Sequence, residues 1–312
     1  YQTLGKLSMK ISVIIAAYNA TQTIAAQLDA LYQQQCSDPF EIIVVNNAST
    51  DSTCEIVKQY QAKMPYLRLE TASARQAPGY ARNVGASVAQ GKYLVFCDAD
   101  DVVAPGWLAA MSEALSQSDF VAGRADYQKL NSSFRQYLED LEGNGVHYGL
   151  FLPFAGTNNL GIKKLIHDMI GGFDESLRSL QDVDYCWRVQ EVGFKLQEAP
   201  DAIVHFRFRS NLQENFKRWQ RFGYYSVLLY RKHLPMGFPR WIVLKGLLAI
   251  AAIPVKFLLR VRDRESLEKW WLNCGWCWGY LLGWLKLGWV KPAPVIQPNP
   301  VRFAASSMAR SQ

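Results

Sequence analysis

From residue 9 to about residue 125, short apolar runs of β-branched character alternate with segments of helical length. No other property of the chain narrows its fold as much. Runs at 11–17, 41–45, 67–71 and 93–97 are strand candidates, and the segments 21–35, 53–63 and 78–90 between them have helical length and composition. Strands that recur after each helix pair in parallel, and a parallel sheet needs cover on both faces. The expected fold is therefore α/β, a mostly parallel nucleotide-binding sheet flanked by helices. Ligands in such sheets bind outside the carboxyl ends of the strands. That is where Asp98-Ala99-Asp100-Asp101 falls, directly after the run 93–97.

Carboxylates at alternate positions can reach one site if the backbone turns there, and a divalent cation bridging phosphate oxygens requires oxygen ligands of this kind. A nucleotide-diphosphate site is the natural reading. The ordinary alternative is a loop that selects Asp for local hydrogen bonding. The six cysteines are scattered through a 312-residue chain with no secretion signal, which fits reduced thiols in a cytoplasmic setting better than a disulfide framework. Cys274-x-x-Cys277 has no second Cys/His pair nearby and lies among tryptophans, so packing is expected there. Residues 1–8 carry no pattern, and Met9 reads as a natural start.

Four segments then acquire a joint meaning: Ser12-Val13-Ile14-Ile15-Ala16-Ala17-Tyr18-Asn19, Val44-Val45-Asn46-Asn47-Ala48-Ser49-Thr50-Asp51, Ala81-Arg82-Asn83-Val84-Gly85 and Phe96-Cys97-Asp98-Ala99-Asp100-Asp101. Their order and spacing resemble the donor half of family 2 glycosyltransferases, which have the GT-A fold. Gly171-Gly172-Phe173-Asp174-Glu175 and Gln181-Asp182-Val183-Asp184-Tyr185-Cys186-Trp187-Arg188 resemble that family's acceptor half, so the likeness extends over about 9–209. It implies sugar transfer from a nucleotide-diphosphate sugar with inversion at the anomeric carbon, using Mn²⁺ or Mg²⁺. By the resemblance, Asp98 faces the ribose, Asp100 ligates the metal, His205 completes the metal site and Asp182 is the catalytic base. Ala17, Tyr18, Asn19 and Asn47 fall where the nucleotide binds, with Asn19 or Asn47 as the base-reading residue.

Two departures stand out. Many relatives have Asp where this chain has Asn46-Asn47, and an amide both donates and accepts, which leaves the base that is read open. Relatives usually have Glu-Asp where this chain has Gln181-Asp182. Loss of that second negative charge is expected to lower the tendency of Asp182 to hold a proton. Its structural alternative is a helix N-cap. Arg82 is the candidate diphosphate partner because a guanidinium matches phosphate geometry, the alternative being a solvated helix charge. Asp101 is expected to cap the helix at 105–117 or to support the metal ligands, and Asn158, Gln181, Asp184 and Trp187 are candidates for support or acceptor contact. Asp184 and Arg188 are spaced to pair at i,i+4.

The last third has a different character. Between residues 203 and 264 there are 13 Lys or Arg against two acidic residues, and seven of the ten tryptophans lie from Trp241 onward, so charge and indole are both localised. That combination suits an anionic membrane surface. The apolar runs 246–255 and 270–285 are shorter than the roughly 20 residues of a spanning helix, so interfacial or re-entrant helices are expected, with a spanning hairpin or a packed helical subdomain as alternatives. Aromatic residues interleave with the basic ones, but no nucleic-acid module motif accompanies them, and no nucleic-acid partner is expected.

The expected organisation is a disordered tail (1–8), a GT-A catalytic domain (9–210, donor half to about 125, acceptor half from 126), a basic Trp-rich helical membrane-associating region (211–292) and a flexible tail (293–312). The expected function is metal-dependent inverting glycosyl transfer to a saccharide or lipid-linked saccharide in cell-surface polysaccharide synthesis, at the cytoplasmic face of the plasma membrane. The alternative is a membrane-docked nucleotide- or saccharide-binding protein of the same fold without turnover.

Overall fold

The computed structural model describes residues 9–131, 145–149, 151–208 and 211–289, and the two expected tails lie outside them. The alternating first part forms as its periodicity dictates: β1 (Ile11–Ala17), α1 (Ile24–Tyr32), β2 (Phe40–Asn46), α2 (Thr53–Gln61), β3 (Leu67–Thr71), α3 (Pro78–Val88) and β4 (Tyr93–Asp98). There follow β5 (Val102–Val103), α4 (Trp107–Gln117), β6 (Phe120–Asp126), β7 (Asn159–Lys163), α5 (Lys164–Met169), α6 (Gln181–Glu191) and β8 (Gln197–His205). The strands make one sheet in the order β3-β2-β1-β4-β7-β6-β8-β5.

The sheet is more mixed than the alternation suggested. The β1–β2, β1–β4, β2–β3 and β6–β8 pairs are parallel. Strand β7 runs antiparallel to both β4 and β6, and β5 antiparallel to β8. An antiparallel neighbour needs no crossover helix, so sequence alternation carries no trace of it. Strand order reverses direction at β1–β4, which makes the carboxyl ends of these strands the place where a crevice opens.

Both faces of the sheet are covered. Ile24, Leu28 and Leu31 of α1, Val57 of α2 and Trp107, Leu108, Met111 and Leu115 of α4 pack on one face. On the other lie Ala81 and Ala86 of α3, Ile166 of α5 and Tyr185, Cys186 and Val189 of α6. The Ile, Leu, Val and Met side chains among them each contribute about 1.5–3 kcal/mol on full burial. Helix α6 is apolar on a second side as well, where Val183 and Trp187 join a separate cluster with the C-terminal helices.

That C-terminal part comprises α7 (Leu212–His233), a 3₁₀ turn (Leu234–Met236), α8 (Arg240–Ala251), α9 (Ile253–Arg260) and α10 (Arg264–Leu287). Leu228 and Leu229 of α7, Phe238 and Ile242 bury against Val183 and Trp187. Helices α7 and α10 run parallel and very close. A Cβ placed on Gly279 would sit 1.9 Å from the Gln220 carbonyl oxygen, and one on Gly223 would sit 2.0 Å from that of Trp276. Only glycine permits that approach. Helix α10 begins with a capping box in which Asp263 accepts from the Ser266 N–H.

No single helix among the described residues is long and apolar enough to cross a membrane, while α8 and α9 pass that test only together and meet at 63°.

Candidate active site

The loops after β1 and β2 are tied to each other. Asn19, at φ +49°, accepts the Thr50 N–H on its Oδ1 at 2.8 Å, and its own N–H reaches Ser49 Oγ. Asp51 receives the N–H groups of Thr21 and Thr53 and the Thr53 hydroxyl; burial works against its charge, but these bonds pull its pKa down to about 2. Asn47 is buried, and its amide donates to the carbonyls of Ala72 and Arg75 at 2.6 and 2.8 Å. Both Asn47 hydrogens are thus engaged, so only its Oδ1 could receive a base N–H. The Asn19 amide oxygen likewise serves the loop. Ala17, Tyr18, Asn19 and Asn47 all line the cleft that opens here.

At the end of β4, one carboxylate oxygen from each of Asp98, Asp100 and Asp101 lies within 4.8 Å of the others. These three are the described residues that could jointly hold a metal ion. Asp101 is 1% exposed and accepts the Arg207 N–H at 2.9 Å and Asn158 Nδ2 at 3.2 Å. Burial, and then the charges of Asp100 and Asp98, hold its pKa well above the ordinary carboxylate value. Crowded carboxylates of this kind fit a divalent cation, which relieves their repulsion. Asp101 does not cap α4, whose N-cap is Gly106 at φ +82° with no side-chain bond. Its hydrogen bonds instead hold the cluster to Arg207 and Asn158.

Arg82, on α3, is 4% exposed and is not the solvated charge of the alternative reading. Its Nη2 donates to Asp98 Oδ1 at 2.7 Å, while Nε and Nη1 are buried without a partner among the described residues. Unsatisfied guanidinium donors beside a carboxylate cluster fit a phosphate group.

Asp182 lies in the first turn of α6 and lines the same cleft as Arg82, Asp98 and Asp100. It is not the N-cap, a position held by Leu180 at φ +62°. Its Oδ1 accepts the Val183 N–H at 2.9 Å. Burial, not its neutral neighbour Gln181, sets the Asp182 pKa: it raises it, outweighing the Val183 N–H, Arg82 and Arg218, which lower it. Desolvation penalises the charged carboxylate whatever its neighbour's charge. Gln181 is itself buried, its Oε1 without a partner among the described residues.

Three sequence candidates are employed elsewhere. The His205 Nδ1 lies 2.5 Å from Asp126 Oδ2, and its Nε2 lies 3.2 Å from Lys129 Nζ. Both ring nitrogens are engaged and His205 stands outside the aspartate cluster, so this geometry does not support its metal role. Asp184, fully buried, takes Arg188 Nε at 2.8 Å, the expected i,i+4 pair, and also Lys232 Nζ at 2.7 Å and His233 Nε2 at 3.0 Å. Trp187 packs in the cluster between α6 and α7 and donates to the Leu152 carbonyl at 2.9 Å. Neither Asp184 nor Trp187 lines the cleft. The Gly171-Gly172-Phe173 turn is structural: Arg188 donates to the Ile170 and Gly172 carbonyls, and at φ +71° a Cβ on Gly172 would meet Asn83 Oδ1 at 2.5 Å.

The cleft encloses about 910 Å³. Its far wall was missed by sequence reasoning. Glu214, Arg218, Trp219, Arg221 and Phe222 of α7 line it, with Arg178 and Arg207. The division expected at residue 210 therefore runs through the site. Their spacing of four, then three or four residues puts Glu214, Arg218 and Arg221/Phe222 on one helix face, and that periodicity was the available signal.

A profile of the family described as "Glycosyl transferase family 2" matches residues 12–174. An uncharacterized glycosyltransferase of Bacillus subtilis, YwdF, is 27% identical over 212 residues, covering 64% of this chain and 75% of its own. The poly(ribitol-phosphate) beta-glucosyltransferase of Bacillus spizizenii is 32% identical over 149 residues, 46% of this chain and 21% of its own length. Among solved structures, the Pyrobaculum calidifontis mannosyltransferase PcManGT, in complex with GDP-Man and Mn²⁺, superposes with a TM-score of 0.55 at 18% identity, covering 97% of this chain and 80% of its own.

Proposed function

The chain belongs to glycosyl transferase family 2 and is a glycosyltransferase, and from that premise we propose that it moves a sugar from a nucleotide-diphosphate donor, with inversion, to a saccharide or lipid-linked saccharide of the cell surface. One observation carries the proposal. The aspartate cluster, Arg82 and Asp182 come from separate segments and open onto one cleft.

A bound Mn²⁺ or Mg²⁺, held by Asp100 and Asp98 with Asp101 behind them, would supply Lewis-acid neutralisation of charge on the departing diphosphate. A solved structure of similar fold contains GDP-Man and Mn²⁺, which supports this choice. Arg82 is suited to a phosphate oxygen through its unpartnered Nε and Nη1. Asp182 receives the proton of the acceptor hydroxyl as that oxygen bonds to the anomeric carbon; the bond from that carbon to the diphosphate oxygen breaks, and its electron pair leaves with the diphosphate. Attack opposite the leaving group inverts the centre. A raised pKa makes Asp182 a stronger base than an exposed carboxylate, provided the pH keeps it ionised.

The C-terminal helices fit a peripheral or re-entrant association with the cytoplasmic face of the membrane. Trp241, Leu244, Leu247 and Leu248 of α8 and Val255, Phe257, Leu258 and Leu259 of α9 are exposed. An exposed apolar face of this extent beside Lys and Arg is what an anionic bilayer surface accepts.

Calorimetry with UDP and GDP, each with and without Mn²⁺, tests the site. Tight binding of one nucleotide that requires Mn²⁺ and is lost in Asp100→Ala is expected. Equal affinity in Mn²⁺ and EDTA would remove the metal from the proposal.

A further inference from the structure

The acceptor end of the cleft is built for an anion. Asp182 marks that end, since the acceptor hydroxyl must reach it. Three arginines from two segments line the cleft together with Asp182: Arg178 in the turn before α6, and Arg218 and Arg221 on α7. Arg218 is close enough to lower the Asp182 pKa, and Arg178 and Arg221 both act on Tyr225, so the three charges share one neighbourhood. Of the described acidic residues that line the cleft, Asp98 and Asp100 belong to the donor end, which leaves Asp182 and Glu214. The Arg218 guanidinium also lies over the Phe222 ring, 5.1 Å from its centroid. Such stacking fixes the plane of the fork.

A neutral sugar is held by hydroxyl-directed carboxylates and amides and by aromatic faces. Three guanidinia lining the cleft do not serve it, and Arg218 lowers the basicity that the transfer needs. They do match phosphate oxygens, with paired N–H groups in a fixed fork. Arg82 already stands beside the aspartate cluster at the donor end, paired with Asp98. The arginines on α7 extend from the level of Asp182 along the helix, Arg218 to Arg221 covering about one turn.

Resting on the glycosyl-transfer reading, we propose that the acceptor carries a phosphate group next to the hydroxyl that is glycosylated, and that Arg178, Arg218 and Arg221 bind that phosphate. Trp219 and Phe222 supply apolar surface beside it. The phosphate can belong to a lipid-linked diphosphate or to a phosphodiester within a saccharide or polyol polymer. The chemistry recognised is the same.

The test uses the full chain saturated with the nucleoside diphosphate it prefers and Mn²⁺. Binding is measured by tryptophan fluorescence for three probes: farnesyl-diphosphate-linked N-acetylglucosamine in detergent, a soluble glycerol-phosphate oligomer, and a neutral N-acetylglucosamine oligosaccharide. At least one phosphorylated probe is expected to bind tenfold or more tighter than the neutral one, with affinity falling as salt rises. A preference for the first probe assigns a lipid-linked acceptor, and for the second a polymer. Arg178→Ala with Arg221→Ala, both exposed residues, should weaken that probe about tenfold or more and change nucleotide affinity less than twofold; the double Lys variant should recover part of the loss. Two results overturn the proposal: neither phosphorylated probe binding better than the neutral one while nucleotide binding is intact, or the double Ala variant weakening nucleotide instead of probe. Failure to bind any nucleoside diphosphate at the outset would instead strike the glycosyl-transfer reading.

Discussion

Asp182 is held in the first turn of α6 by the Val183 N–H, within the field of Arg82 and Arg218, yet burial keeps its pKa raised. A base must be ionised to act, so activity is lost as pH falls through that raised value. The acid limb of kcat/KM should therefore lie above the ordinary aspartate value of 3.8. Asp182→Asn keeps the shape and removes the basicity. Turnover should drop by about a hundredfold or more while nucleotide affinity by calorimetry stays within about twofold. Undiminished turnover would move the base to another carboxylate. At this scale the sequence revealed chemistry better than employment. Asp98, Asp100, Arg82 and Asp182 do line one cleft, and for the two aspartates the position at a strand's carboxyl end was the local signal. Asn47 also lines the cleft but gives its amide hydrogens to the Ala72 and Arg75 carbonyls, while His205 is engaged by Asp126 and Lys129. Those partners are distant in sequence, and no local pattern announces them.

Helix α6 is fastened to α7 by a buried ionic knot. Asp184 takes Arg188, Lys232 and His233; Lys232 also reaches Asp174 at 2.6 Å, and His233 Nδ1 lies 2.6 Å from Glu191. Burial opposes the Asp184 charge, but Arg188, His233 and Lys232 outweigh it and hold its pKa well below 3.8. Burial likewise disfavours a charged His233, but its bonds to Asp184 and Glu191 prevail and raise its pKa above 6.5. The knot is complete between pH 3.8 and 6.5. The His233 share of stability fades as pH rises through its folded value, and the Asp184 share fades as pH falls through its own. Removing one member of a buried pair typically costs about 3–5 kcal/mol. Lys232→Met should lower the unfolding free energy by about 3–5 kcal/mol, and His233→Gln should flatten the decline in stability above neutrality. Chemical denaturation across pH measures both, and an unchanged pH profile in His233→Gln would free this histidine of the role. The i,i+4 spacing exposed the Asp184–Arg188 pair in the sequence. The lysine and histidine arrive from 48 and 49 residues away, which no spacing rule reaches.

Across the whole molecule, the strand–helix alternation was enough to give the donor half, since its pairs are parallel and its period is read directly. The C-terminal third was legible only as composition. Basic and indole-rich residues did indicate an unusual surface, yet α7 is also a wall of the catalytic cleft, and α10 packs on it through Gly223, Gly275, Gly279 and Gly283. The apolar faces of α8 and α9 stay exposed, and the proposed membrane association rests on them. Vesicle flotation should show binding to anionic lipid that exceeds binding to neutral lipid and weakens with salt; Leu244→Glu with Leu258→Glu, both exposed, should abolish it without lowering thermal stability. Indifference to anionic vesicles would return these helices to a purely structural role. The most direct measurement of all is nucleoside-diphosphate release from a panel of nucleotide sugars with Mn²⁺, comparing the unaltered chain with Asp182→Asn and Asp100→Ala. One donor should be consumed by the unaltered chain in a metal-dependent manner, with Asp182→Asn binding that donor but turning it over at least a hundredfold more slowly and Asp100→Ala failing to bind it. Metal-independent consumption, or equal rates for all three proteins, would contradict a cleft in which the aspartate cluster holds the donor and Asp182 activates the acceptor.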